Sequence, residues 1–231
     1  DSQSINQNLH LLYKNLGETP HEAILRYKKD HPEHKDLTMT YAGRLDPMAE
    51  GVLLVLSGDL VFEKDKYLDL PKTYEFEILW GFETDTLDML GLVSENFFES
   101  INFPITEYLN KAKGKFEQIS SRPVNGKSLF QWAREGRISE IDIPKHEVEL
   151  YEAEYLSRRT ISKQDLLKDI EHKVGLVQGD FRQKEILEKW QEVLKDNKSE
   201  EFVIDKVKVV VSSGFYIRQF VHDIAESFGI K

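Results

Sequence analysis

Tyr41-Ala42-Gly43-Arg44-Leu45-Asp46-Pro47-Met48-Ala49-Glu50-Gly51 runs directly into Val52-Leu53-Leu54-Val55-Leu56-Ser57. Two features meet here. Gly51–Ser57 is a short apolar run bounded by glycine, the pattern of a buried strand. Just before it, Asp46 precedes Pro47, the order of a helix cap followed by a first helical residue. Read alone, Asp46 caps a short helix. Residues elsewhere in the chain decide whether it carries chemistry instead.

Other strands follow by alternation. Tyr74, Phe76, Ile78 and Trp80 alternate with Glu75 and Glu77, as in a half-buried strand. Val148–Tyr155 does the same, with a slip near Tyr151. Phe202–Val211 sets Val203, Val207, Val209 and Val211 on one face and Lys206 and Lys208 on the other. Helical spacing fills the intervals. Thr19-Pro20-His21-Glu22 carries a capping box with proline at the first helical position, and Pro32 should end that helix near His31. Ile105, Tyr108, Leu109 and Ala112 form a stripe, and Leu129, Trp132 and Ala133 a shorter one. Ser162 can cap a helix carrying Leu166, Leu167, Ile170 and Val174. Further stripes run through Ile186, Leu187, Trp190, Val193 and Leu194, and through Ile217, Phe220, Val221, Ile224, Ala225 and Phe228. This pattern predicts one α+β domain over residues 1–231, a mixed, mostly antiparallel sheet flanked by helices. Ser157–Glu201 reads as a helical insertion on its edge.

Composition excludes several classes. The 231 residues include no cysteine, which removes disulfides, thiolate metal sites and a cysteine nucleophile. No run of ~18 apolar residues is present, and the polar start has no secretory core, so a cytoplasmic location is expected. No dinucleotide fingerprint, P-loop or His-Glu-x-x-His occurs. His31 and His34 read as an exposed loop, and Asp85 and Asp88 as turn formers rather than a metal pair, so no metal is expected. The net charge is −10, unlike a generic nucleic-acid binder. It is unevenly spread: Lys111–Arg137 holds seven basic and two acidic residues, +5, leaving −15 for the remainder. Such a patch can steer a polyanion, or it can be a solvated lysine-rich surface.

The motifs decide between these readings. Gly43-Arg44-Leu45-Asp46-Pro47-Met48-Ala49-Glu50-Gly51 matches Gly-x-Leu-Asp-Pro-x-Ala-x-Gly, and Lys72-Thr73-Tyr74 matches Lys-x-Tyr at the start of a strand. Thr84-Asp85-Thr86-Leu87-Asp88-Met89-Leu90-Gly91 matches Thr-Asp-Thr-x-Asp-x-x-Gly. Gly126-Lys127-Ser128-Leu129-Phe130-Gln131-Trp132-Ala133-Arg134-Glu135-Gly136 and Gly214-Phe215-Tyr216-Ile217-Arg218 complete the series, with Lys14 and Gly17-Glu18-Thr19-Pro20 as a similar opening. In order and spacing the chain resembles the TruB family of tRNA pseudouridine synthases. The resemblance implies the pseudouridine synthase fold and isomerisation of uridine to pseudouridine in the T-arm loop of tRNA. It implies Asp46 as the catalytic aspartate, Tyr74 as the active-site tyrosine and Arg218 as the aspartate's partner. A guanidinium favours an ionised carboxylate, and the reaction adds no group and no electrons, so no cofactor is expected. The target base must be flipped from its stack. Tyr41, Arg44, Lys72, Arg122, Lys127 and Arg134 are the expected RNA contacts, and Arg134 could instead bridge to Glu135 or Glu140.

Three departures qualify the resemblance. Tyr41 stands where the family has histidine. Phe116–Val124 is short for the family's RNA-gripping loop. With the sequence ending at Lys231, the C-terminal RNA-binding (PUA) domain of many members is not expected. The expectation is a stand-alone enzyme acting as a monomer on the T-arm stem-loop, without a membrane. The alternative is a non-catalytic RNA-binding protein or tRNA-folding chaperone on the same scaffold. A blander one is an acidic interaction domain that uses the Ser157–Glu201 helices.

Overall fold

The computed structural model describes residues 7–95, 104–120 and 123–230. Strand β1 (Leu9–Lys14) leads into α1 (Pro20–Asp30), which opens as a capping box. The Glu22 N–H donates to the Thr19 hydroxyl (3.2 Å), and the Thr19 N–H donates to the Glu22 carboxylate (2.6 Å). Then come β2 (Met39–Ala42), β3 (Gly51–Ser57), a 3₁₀ turn over Gly58–Glu63 and α2 (Lys64–Leu68). Strand β4 (Lys72–Leu79) precedes the β5 (Phe82–Thr84) and β6 (Val93–Glu95) hairpin. The chain continues through α3 (Ile105–Lys111), β7 (Gly114–Ile119), α4 (Leu129–Arg134) and β8 (Lys145–Ser162). Helices α5 (Lys163–Leu176) and α6 (Gln183–Asp196) follow, then β9 (Glu201–Val211) and α7 (Ile217–Ser227).

The α+β class is as expected. The strands form separate sheets rather than one: β1-β3-β2, β4-β9-β8-β7, and β5-β6. Every strand pairing among the described residues is antiparallel. The division arises because the 3₁₀ turn and α2 carry the chain away from β3, and β4 then pairs with β9, Tyr74 opposite Val209. Each sheet buries one apolar face. Leu12, Leu53 and Val55 pack against Ala23 and Ile24 of α1. Ile78, Leu150, Val207 and Val209 pack against Leu109 of α3 and Phe220 and Ile224 of α7. Leu90 and Val93, around the β5–β6 hairpin, pack against Leu166, Ile170, Ile186 and Trp190 of α5 and α6. No helix among the described residues is long and apolar enough to cross a membrane.

Two local expectations change. The irregularity near Tyr151 is a bulge between Leu150 and Glu152, but β8 then continues to Ser162. The helical stretch therefore starts at Lys163, not Ser157. Ser157-Arg158-Arg159-Thr160, read as the start of the helical insertion, instead pairs with β9, where Asp205 is fully buried. Asp205 accepts from Trp80 Nε1 (2.8 Å), the Tyr155 hydroxyl (3.0 Å) and Arg158 Nε (2.8 Å). A buried carboxylate needs such donors. His31 and His34 are half-buried rather than loop-exposed. Both rings stack on Tyr27, whose hydroxyl lies 3.0 Å from His34 Nδ1 and 3.2 Å from His10 Nδ1.

Candidate active site

Asp46 caps no helix. The Ala49 N–H donates to the Asp46 carbonyl at 2.9 Å, closing a single turn with Pro47 in its second position. The Gly17 N–H donates to the Pro47 carbonyl at 2.8 Å and ties that turn to the loop after β1. Free of a capping role, the Asp46 carboxylate accepts from Arg218 Nε at 2.9 Å. Arg218 lies in the first turn of α7, off the buried stripe of Phe220 and Ile224. Its Nη1 donates to the Thr86 carbonyl (2.9 Å), and its Nε is 3.7 Å from Asp88 Oδ2. The Asp46 and Arg218 side chains keep 45% and 39% of their exposure, so the pair is open to a ligand.

Tyr74, near the start of β4, is half-buried against the main core. Burial pushes its phenol up, and the charge of Asp46 adds to the effect. The hydroxyl therefore keeps its proton through the neutral range. Asp46, Tyr74 and Arg218 are thus brought together from a turn, a strand and a helix far apart in sequence.

Asp88 joins them, although its place in a polar loop reads as that of a turn former. Its carboxylate accepts from the Thr86 hydroxyl (2.7 Å) and the Leu90 N–H (3.0 Å). Burial raises its pKa, and the Thr86 hydrogen bond and Arg218 pull against that rise. The Thr84–Gly91 motif marked the loop but not this role for Asp88, because the guanidinium it faces lies far along the chain. Lys14 is a second omission. It is fully buried at the end of β1 and donates to the carbonyls of Asn15 (3.0 Å) and Glu18 (2.6 Å). Burial lowers its pKa, and the charges of Glu18, Asp46, Glu22 and Glu50 oppose that. The Lys14 amine thus lies close enough behind the Asp46 turn to feel its charge.

The expected RNA contacts are placed unevenly. Arg44 is exposed. The Tyr41 ring is half-buried, with the Lys64 ammonium 5.1 Å from its centroid. Lys72 donates to the carbonyls of Leu70 (2.9 Å) and Leu68 (3.2 Å) and lies against Gly43. Lys127 pairs with Glu135 at 2.8 Å and sits 5.1 Å from the Trp132 ring. Arg122 and the Arg134 side chain lie outside the described residues. Glu140 is held by Arg137 at 2.6 Å. Among the described residues no group of three or more acidic or histidine side chains could hold a metal. Asp85 and Asp88 each face an arginine instead, Arg182 at 2.9 Å and Arg218 at 3.7 Å.

Residues 34–176 match the family model of the TruB family pseudouridylate synthase, N-terminal domain. That stretch is more than half of the chain and contains Asp46, Tyr74 and Asp88. The chain belongs to the TruB family. Among TruB-family relatives, tRNA pseudouridine synthase B of Caldanaerobacter subterraneus subsp. tengcongensis is 34% identical over 146 residues, 61% of this chain and 50% of that protein. The Bacillus subtilis protein of the same name is 35% identical over 144 residues, 58% of this chain and 44% of its own length. The chain spans about half the length of such relatives. In fold it is similar to a chain of an H/ACA RNP bound to a substrate RNA containing 2'-deoxyuridine, with a TM-score of 0.51 at 15% identity over 96% of this chain and 43% of that one. A chain of a Cbf5-Nop10-Gar1 complex gives 0.50 at 16% identity over 96% and 45%. Arg218 lies beyond the stretch that the TruB model matches. Its place in the site comes from the ion pair with Asp46.

Proposed function

We propose that this protein isomerises uridine to pseudouridine in the T-arm loop of tRNA, with Asp46, Tyr74 and Arg218 as its catalytic residues. The observation that carries this reading is the 2.9 Å Asp46–Arg218 pair, built from two separate motifs and open to solvent beside Tyr74. In the reaction the bond between uracil N1 and ribose C1′ breaks and a bond from C1′ to C5 forms. C5 gives up its proton and N1 gains one, so no electrons or groups enter. Asp46 reacts as a carboxylate at the sugar or the base. Arg218 holds it charged and aimed. Tyr74 presents a ring face for a flipped base and a protonated hydroxyl for proton transfer. Asp88 and the Thr86 carbonyl hold the Arg218 guanidinium and act through it. Arg44, Tyr41, Lys72, Arg122, Lys127 and Arg134 are the candidate RNA contacts.

We take residues 1–231 as one catalytic unit, acting as a monomer in the cytoplasm on the T-arm stem-loop. The test is incubation with an unmodified tRNA transcript and with its isolated T-arm hairpin, mapping pseudouridine by chemical probing. A single modified T-loop uridine, lost with Asp46→Asn while RNA binding persists, is the expected result. Tight binding with no product from the unaltered protein would overturn the reading in favour of an RNA-folding chaperone.

A further inference from the structure

The α5–α6 hairpin stands in the chain between β8 and β9, yet it touches both sides of the candidate site. On one side, Leu90, Met89 and Leu92 flank Asp88 and pack into the core that Leu166, Ile170 and Trp190 build. Met48, two residues beyond Asp46, packs against the same core. At the C-terminal end of α5, the Leu176 carbonyl lies so close to Gly17 that a Cβ there would collide with it. The Gly17 N–H in turn donates to the Pro47 carbonyl, the residue after Asp46.

The hairpin also makes one specific polar contact. At the entry to α6, Arg182 donates from Nη1 to Asp85 Oδ2 (2.9 Å) and from Nη2 to Asp85 Oδ1 (3.2 Å). Asp85 closes the neck of the 85–92 loop: its Oδ1 accepts the Leu92 N–H (2.8 Å), and its own N–H donates to the Leu92 carbonyl (3.2 Å). Within that loop lie the two groups that face Arg218, the Thr86 carbonyl and the Asp88 carboxylate. The loop has little slack, because a Cβ on Gly91 would collide with the Thr86 hydroxyl. A continuous path of bonded groups therefore runs from Arg182 through Asp85, the loop and Arg218 to Asp46.

We infer that the α5–α6 hairpin is a scaffold that sets the catalytic arginine, and that Arg182 is a positioning residue acting through Asp85. The inference rests on the proposed activity for its kinetic consequence and on geometry for the rest. The Arg182 and Asp85 side chains are 33% and 44% exposed. A pair so exposed adds little to global stability, but a bidentate guanidinium–carboxylate contact fixes orientation as a lysine cannot.

The test compares Arg182→Ala, Arg182→Lys, Asp85→Asn and the Arg182→Ala/Asp85→Asn double variant in the full chain. Two readouts are used: steady-state pseudouridine formation, and amide hydrogen exchange resolved by peptide. Arg182→Ala should lower kcat by about tenfold or more while KM for tRNA stays within about twofold, since misplacement costs rate rather than binding. Arg182→Lys should recover part of the loss. The double variant should be no slower than the worse single one, because both act on one contact. Exchange over residues 85–92 should rise by roughly fivefold or more in Arg182→Ala, with β3 and β9 as protected as before. Unchanged exchange over 85–92 in Arg182→Ala would overturn the inference. So would kcat within about twofold of the unaltered protein, or a loss that falls equally on kcat and tRNA binding. An unaltered protein that makes no pseudouridine would sink the proposed activity alone, because the exchange readout still reports whether Arg182 orders the loop.

Discussion

At the scale of residues, the site is a contest between burial and pairing. Asp88 is the clearest case. Burial favours its neutral form, whereas Arg218 and the Thr86 hydroxyl favour its charge. Its net pKa is raised, so acid neutralises it sooner than an ordinary aspartate. Once protonated, it no longer offers Arg218 a charge. Activity should therefore fall with acid at a higher pH than an unshifted carboxyl would give, and Asp88→Asn should remove that limb from the pH–kcat profile. The same variant should lower kcat by roughly 100-fold through a misplaced guanidinium. Its fold should persist, because an amide oxygen can still accept from Thr86 and Leu90. The stability sign is the reverse of a salt-bridged aspartate's. The folded protein holds the Asp88 proton more tightly than the unfolded chain, so ionising Asp88 costs stability as pH rises from the unfolded value toward the raised one. A pH series of urea unfolding on Asp88→Asn and the unaltered protein should show that difference.

At the scale of elements, two devices hold the layers together. In the four-stranded sheet Asp205 is buried within the β4–β9–β8 ladder. Burial alone would raise its carboxyl, but the donors Arg158, Trp80 and Tyr155 outweigh that and leave it lowered. The folded carboxylate stays charged where the unfolded one would take a proton. Its stabilisation is complete above the ordinary aspartate pKa of about 3.9 and is lost as pH falls through the lowered value. Asp205→Ala should cost about 3 kcal/mol at neutral pH by removing the acceptor that these donors share, measurable by chemical denaturation. The second device is the abutment of α5 on the loop after β1. Gly17 has φ +87° and no room for a Cβ beside Leu176. Gly17→Ala should destabilise by about 2 kcal/mol, since it adds backbone strain to a collision. It should also slow catalysis beyond the stability loss, because the same residue anchors Pro47.

At the scale of the whole molecule, a chain of net charge −10 is proposed to grip a polyanion. Much of the basic segment is neutralised where it stands, through Lys111–Glu107, Lys115–Glu147, Lys127–Glu135 and Arg137–Glu140. Binding must break or share such pairs, so affinity for tRNA should fall steeply with salt. Removing Lys127 or Arg134 should each reduce the salt slope by about one, read from filter binding over a salt series. Strands β1, β2, β5, β6 and β7 and helix α2 were not read from the sequence, whereas β3, β4, β9, β8 as far as Tyr155, helices α1 and α3 to α7, and Asp46, Tyr74 and Arg218 as candidate residues were legible in it. Apolar periodicity and capping are local, and each motif is a short run whose residue types carry their own meaning. Ser157–Ser162 as strand, Asp88 in the site and Arg182 beside Asp85 were not, because each depends on a partner far along the chain. A polar strand is indistinguishable from a solvated stretch until a buried Asp205 calls for it, and a turn-forming aspartate looks the same until a guanidinium faces it. The sequence by itself determined which groups could do the chemistry. Tertiary structure decided which of them meet, since packing of α7 and the α5–α6 hairpin on separate sheets sets distances that no local pattern encodes.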